Sequence, residues 1–173
     1  MISVWDPAVR LFHWSLVGAM AYEFIAEAGT DLHMSLGYIL LGLVGFRLVW
    51  GFMGTKHARF KDFVRGPFTI AAYLRDIMRG SPAHFVGHNP AGGAMVLMLL
   101  GMVGLTAGSG WLMDTDAFWG VAWIENVHRT AAYATLVFIG LHVLGVIAAS
   151  LQHRENLVRA MITGKKSLPP DHD

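Results

Sequence analysis

The chain has 173 residues, of which 54% are hydrophobic and only 14% charged; an ordinary soluble domain carries roughly 25% charged residues, so the composition reads as one integral-membrane domain over 1–173. A net charge of +1 gives no global basic field for nucleic acid. The absence of cysteine excludes disulfides, thiolate-bound metals, iron–sulfur clusters and covalent c-type haem attachment, leaving nine histidines and ten methionines as candidate metal ligands.

Four apolar segments follow one another. The first, about 11–27, "LFHWSLVGAMAYEFIAE", is short and interrupted by Glu23. Asp6, Pro7 and Arg10 precede it and no clear cleavage motif follows, so it is read as a retained span. The second, about 33–54, and the third, about 91–112, reach the roughly 20 residues that cross a hydrocarbon core. So does the fourth, about 127–151. Backbone in lipid must satisfy itself, which makes these segments helices. The expected fold class is all-α: a transmembrane four-helix bundle. Within the connection 55–90, Pro67 suits a first helical position. After it, Phe68, Ile70, Leu74, Ile77 and Met78 alternate with Arg75, Asp76 and Arg79. This predicts a short amphipathic helix on the membrane surface, ended by Gly80, Ser81 and Pro82. The closing "KKSLPPDHD" reads as a disordered tail.

Lysine and arginine set the topology. The 55–90 connection holds Lys56, Arg59, Lys61, Arg65, Arg75 and Arg79, the C-terminal part holds Arg154, Arg159, Lys165 and Lys166, and Arg10 lies near the start. The connections 28–32 and 113–126 have neither residue type; they carry Asp31, Asp114, Asp116 and Glu125. The positive-inside rule then puts both termini and the 55–90 loop in the cytoplasm of a bacterial cell, with the chain in its inner membrane. Trp5, Trp14 and Trp50 fall near the inner interface, and Trp111, Trp119 and Trp123 near the outer one.

Only His13, His33, His128 and His142 lie within the spans. Topology places His13 and His142 near the inner face and His33 and His128 near the outer. The fourteen residues between His128 and His142 cover roughly 21 Å of helix and about 1,400°, some 40° short of four full turns. One face of the fourth helix can therefore serve two stacked sites. Two imidazoles are too few ligands for a structural zinc site, and no carboxylate lies at the depth of His142 to complete a di-iron centre. Iron in a porphyrin needs only two axial ligands, and without cysteine attachment any haem is b-type. The competing reading is four histidines that bridge helices by hydrogen bonds. Gly37, Gly42, Gly45, Gly101, Gly104, Gly108, Gly140 and Gly145 would give a flat macrocycle room, although small-residue helix packing uses glycine as well.

Several stretches resemble the prokaryotic cytochrome b561 family, which includes the b-type cytochrome subunits of nickel–iron hydrogenases. They are "VWDPAVRLFHW" at 4–14, "HMSLGYILLGLVGFRLVWG" at 33–51, "ARFKDFVRGP" at 58–67, "GHNPAGGAMVLMLL" at 87–100 and "VHRTAAYATLVFIGLHV" at 127–143. The resemblance spans nearly the whole chain. It implies a four-helix membrane bundle with two b haems, His13 with His142 inside and His33 with His128 outside. It also implies electron exchange between membrane quinone and a redox partner such as a hydrogenase or dehydrogenase subunit or a periplasmic c-type cytochrome. The alternatives are a superoxide:quinone oxidoreductase, against which the lack of outer lysine and arginine counts, and a structural anchor for a partner enzyme.

Arg47, a charge inside the second span, is expected to face an inner haem propionate, or else to snorkel to the headgroups. Arg129 either meets an outer propionate or caps the interface. Glu23 is read chiefly as a snorkelled surface carboxylate, with proton handling as the alternative. Arg10 and Trp14 flank His13 where a quinone headgroup can approach, though leaflet anchoring explains them equally. The "GHNP" at 87–90 is read as the turn that starts the third span.

Overall fold

The computed structural model describes residues 1–166. Four long helices carry the fold: α1 (Pro7–Ile25), α2 (Asp31–Met53), α5 (Pro90–Met113) and α6 (Ala122–Gln152), with short helices α3 (Phe60–Phe63), α4 (Pro67–Met78) and α7 (Leu157–Thr163) between or after them. Their starts are set by local chemistry. Asp6 accepts from Val9 N at 2.9 Å with Pro7 at the first helical position, so α1 begins before the apolar run does. Thr30 caps α2 by accepting from His33 N at 3.2 Å. Asn89 accepts from Gly92 N at 2.7 Å ahead of Pro90 and starts α5, which is the turn expected of "GHNP". The predicted amphipathic helix is α4, opened by Pro67 and closed at Gly80, where φ is +75°.

α2, α5 and α6 are long and apolar enough to cross a membrane; α1, which carries Arg10 and Glu23, is not among them. Large apolar side chains such as Phe52, Leu105, Val137 and Leu144 are exposed along all three. That surface is far more apolar than a water-facing one sustains. The buried core joins Phe12, Ala19 and Met20 of α1 to Leu40 and Val44 of α2 and to Leu100, Val103 and Ala107 of α5. α6 packs along α5, where Thr106 and Thr135 hydroxyls meet at 3.1 Å and Thr135 is fully buried.

Four elements were not expected: the short helices α3 and α7 and two short strands. Ile2–Ser3 (β1) and Lys165–Lys166 (β2) pair antiparallel. The disordered-tail reading is therefore wrong at Lys165 and Lys166, and its remainder, 167–173, lies outside the described residues. Lys166 is held because its ammonium reaches Glu155 at 3.0 Å and the Phe85 carbonyl at 3.2 Å. Gly164, at φ +79°, ends α7 and accepts from Val4 N and Trp5 N; a Cβ there would stand 2.6 Å from the Trp5 carbonyl oxygen. Arg10 and Trp14 side chains donate to the Ile162 and Met161 carbonyls at 2.6 and 3.4 Å. This engages both residues in tying α1 to α7. The N-terminus, the α2–α5 connection and α7 thus share one end of the helices, the end that carries most of the lysine and arginine.

Asp6 is the hub of that end. Besides capping α1, it accepts from Thr55 Oγ1 at 2.6 Å and from Trp50 Nε1 at 3.2 Å. Burial opposes its charge, but the hydrogen bonds from Thr55, Val9 and Trp50 outweigh burial and hold its pKa below the ordinary aspartate value. A carboxylate with a depressed folded pKa stabilises at neutral pH, and the benefit is lost as pH falls below about 4. Asp6→Ala is expected to cost about 0.5–2 kcal/mol as a lost cap. In detergent-solubilised melts the loss should be present at pH 7 and narrow toward zero in acid.

Candidate functional site

The four span histidines meet as two pairs. The imidazole centroids of His13 and His142 are 6.4 Å apart, and those of His33 and His128 are 6.2 Å apart. Two metal–nitrogen bonds of about 2 Å each, with a ring radius at both ends, put coaxial imidazole centroids about 6 Å apart across one metal ion. Neither pair is joined by a hydrogen bond between its own two rings among the described residues. α1 and α2 each supply one member, and α6 supplies one of each pair.

The ring of His128 is the most firmly set. Its Nδ1 lies 2.8 Å from the Thr106 carbonyl oxygen. A carbonyl only accepts, so Nδ1 carries the proton and Nε2 is left with a free lone pair for a metal. Ser109 Oγ lies 3.4 Å from the same nitrogen. Gly110 admits the ring, since a Cβ there would stand 3.0 Å from His128 Cε1. Thr106, Ser109 and Gly110 were not among the residues singled out by sequence. Two hydroxyl residues three apart in a helix without a charge were the available signal.

His33 is set by Glu23, whose Oε2 is in contact with His33 Nδ1. The snorkelled-carboxylate reading of Glu23 is corrected here: the side chain is only 10% exposed and turns to α2 rather than to the headgroups. No carboxylate stands against His13; its Nδ1, like that of His33, is buried without a hydrogen bond, but only His33 has a carboxylate oxygen against it.

Most glycines of the spans face open space. Cβ atoms added at Gly37, Gly42, Gly45, Gly101, Gly108, Gly140 and Gly145 would meet nothing within 4 Å, and only Gly104 of the eight touches a neighbouring helix, at Val44. Close helix contact therefore does not account for these glycines.

Arg47 is 3% exposed and does not snorkel. Its Nη2 donates to the Ala58 carbonyl at 3.0 Å, and its Cζ stands 5.1 Å from the Phe60 ring centroid and 5.9 Å from that of Phe63. Nη1 is buried without a partner, and no carboxylate pairs with it among the described residues. Arg129, by contrast, is exposed and engaged on its own helix, by Asn126 at 3.1 Å and Glu125 at 3.4 Å.

His88 is a neighbour that the sequence reading left in a turn. Its ring lies 4.6 Å from both Trp5 and Phe63. Burial first, then the Arg47 guanidinium, lowers its pKa to about 3, with His142 a further contributor. It is a neutral imidazole at any physiological pH, with Nδ1 buried and unpartnered. His84 and His153 lie against each other near Glu155, away from the two pairs.

The family model of prokaryotic cytochrome b561 matches residues 4–164. Among curated relatives, a "Probable Ni/Fe-hydrogenase B-type cytochrome subunit" of Rhodobacter capsulatus is 21% identical, covering 98% of this chain and 83% of its own length. The proteins of the same name from Azotobacter vinelandii and Rhizobium leguminosarum are 24% and 20% identical, covering 98% and 95% of this chain and 90% and 88% of theirs. No solved structure matches. With the match running through all four histidine-bearing segments, the chain belongs to the prokaryotic cytochrome b561 family.

Proposed function

We propose that this protein is a di-haem cytochrome b that carries electrons across the bacterial inner membrane, between membrane quinone and a hydrogenase. The observation that carries the proposal is the spacing of the two histidine pairs, 6.4 and 6.2 Å between ring centroids, each suited to a metal held between two imidazoles. His13 and His142 would ligate the haem at the lysine- and arginine-rich end, and His33 and His128 the haem at the opposite end. When bound, each b haem takes up and releases one electron at its iron. The chain's part is to hold the two groups at different depths, with the glycines leaving room for the rings and Thr106 fixing the His128 tautomer. α1 completes a four-helix bundle and crosses the membrane despite Glu23, because that carboxylate turns to His33.

The relatives' names support a hydrogenase as partner. The shared basic end, gathered from both terminal segments and the α2–α5 connection, supports the cytoplasmic placement of the termini. Arg47 fits an inner propionate, since Nη1 is a buried donor in need of an anion. The contacts of Arg129 within its own helix favour interface capping for that residue.

Purified protein should contain two b haems per chain by pyridine haemochrome assay against quantitative amino-acid analysis, and added quinone should reoxidise them after reduction. One haem or none overturns the pairing; two haems inert toward quinone overturn the quinone assignment alone.

A further inference from the structure

The two histidine pairs sit in different electrostatic settings. At the His33–His128 pair the carboxylate of Glu23 stands against His33 Nδ1 and a backbone carbonyl holds His128 Nδ1. At the His13–His142 pair no carboxylate stands against His13, whose Nδ1 is buried without a hydrogen bond. A partner that accepts from the distal nitrogen of a ligating histidine orients the ring and makes the ligand more basic. More basic ligands and a nearby anion favour ferric over ferrous iron, whereas a buried cation favours ferrous.

We infer that Glu23 is the positioning residue of the His33 ligand and the source of a potential difference between the two haems. Resting on the bis-histidine reading above, its carboxylate accepts from Nδ1–H of His33, leaves Nε2 directed at iron, and holds the His33–His128 haem at a lower potential than the His13–His142 haem. One electron then passes downhill from the His33–His128 site to the His13–His142 site. With the termini in the cytoplasm, that is inward across the membrane. Glu23 is well placed for this because it lies near the end of α1, two residues before the helix stops, and the 26–30 connection brings His33 back beside it. Its second oxygen, Oε1, is buried without a partner, so it is a carboxylate committed to the protein interior.

The test is a spectroscopically monitored redox titration of the purified holoprotein and of Glu23→Gln, with Glu27→Gln, an exposed carboxylate on the same connection, as control. Glu23→Gln should move only the lower of the two haem waves, upward, by about tenfold in its reduction equilibrium or about 59 mV for one electron. The low-spin ferric signal of that haem should change with it, and Glu27→Gln should leave both waves in place. Two retained haems with unmoved waves, equal movement of both waves, or an equal shift in Glu27→Gln would overturn the inference while leaving the di-haem reading intact. If Glu23→Gln retains only one haem, Glu23→Asp, which keeps the charge, must restore the second, or the positioning role is lost. Wild-type protein without two haems would remove the di-haem reading itself, and the inference with it.

Discussion

Replacing His142 with alanine is expected to remove one haem from each chain and leave the other spectrally intact. A b haem has no covalent tether in a chain without cysteine, so in the proposed arrangement its retention would depend on two axial bonds, packing and hydrogen bonds. Loss of an outer hydrogen-bonding partner of a metal ligand typically costs 10–100-fold in affinity, and loss of the ligand itself costs more. The remaining pair, His33 with His128, draws one residue from α2 and one from the far end of α6, and neither touches His142. His128→Ala should give the mirror result, losing the other haem, and the double variant should lose both. Pyridine haemochrome stoichiometry and reduced-minus-oxidised spectra read the outcome directly. Helix-bridging histidines would behave otherwise: each substitution would lower the melting temperature with no stepwise change in haem content.

The independence of the two losses follows from a feature that the sequence already displayed. The fourteen-residue spacing in α6 is fixed by helix geometry alone, and depth pairing follows once the positions of lysine and arginine orient the spans. The four histidines and their pairing were legible for that reason, and the amphipathic α4 for a similar one, since Pro67 and Gly80 bracket it. Helix starts were less legible, because a cap lies outside the apolar run it serves: Asp6 begins α1 four residues before the hydrophobic stretch at 11, and Val121 precedes an α6 that starts five residues before the expected 127. The tail strand was hidden in another way. Lys165 and Lys166 are poor strand residues by composition, and only their pairing with Ile2–Ser3 and the burial of Lys166 against Glu155 give them structure. Glu23 was misread because a lone carboxylate near a span end has no sequence mark that separates a headgroup contact from a contact with the next helix.

Arg47→Leu is expected to lower the potential of the His13–His142 haem and to destabilise the α2–α3 junction at the same time, and the two effects can be separated. The guanidinium is buried with no carboxylate partner among the described residues, and one of its terminal nitrogens is unbonded. A buried charge with no carboxylate in contact is costly, and in the proposed di-haem arrangement the propionate of the His13–His142 haem would complete it. Leucine removes the cation that favours ferrous iron, and the wave should move down. It also leaves the Ala58 carbonyl without its donor, at about 1–3 kcal/mol, and removes the contact with the Phe60 and Phe63 faces, about 0.5–2 kcal/mol. Relief of the desolvation cost offsets part of this in apoprotein. Arg47→Lys divides the terms. It keeps the charge, so most of the potential should return, but a single ammonium on a flexible stem cannot hold the Ala58 carbonyl and a propionate in the fork geometry of arginine, so thermal stability should recover only in part. A leucine variant with both redox waves unchanged, alongside a lowered melting temperature, would assign Arg47 to the Ala58–Phe60–Phe63 contact alone and detach it from the haem.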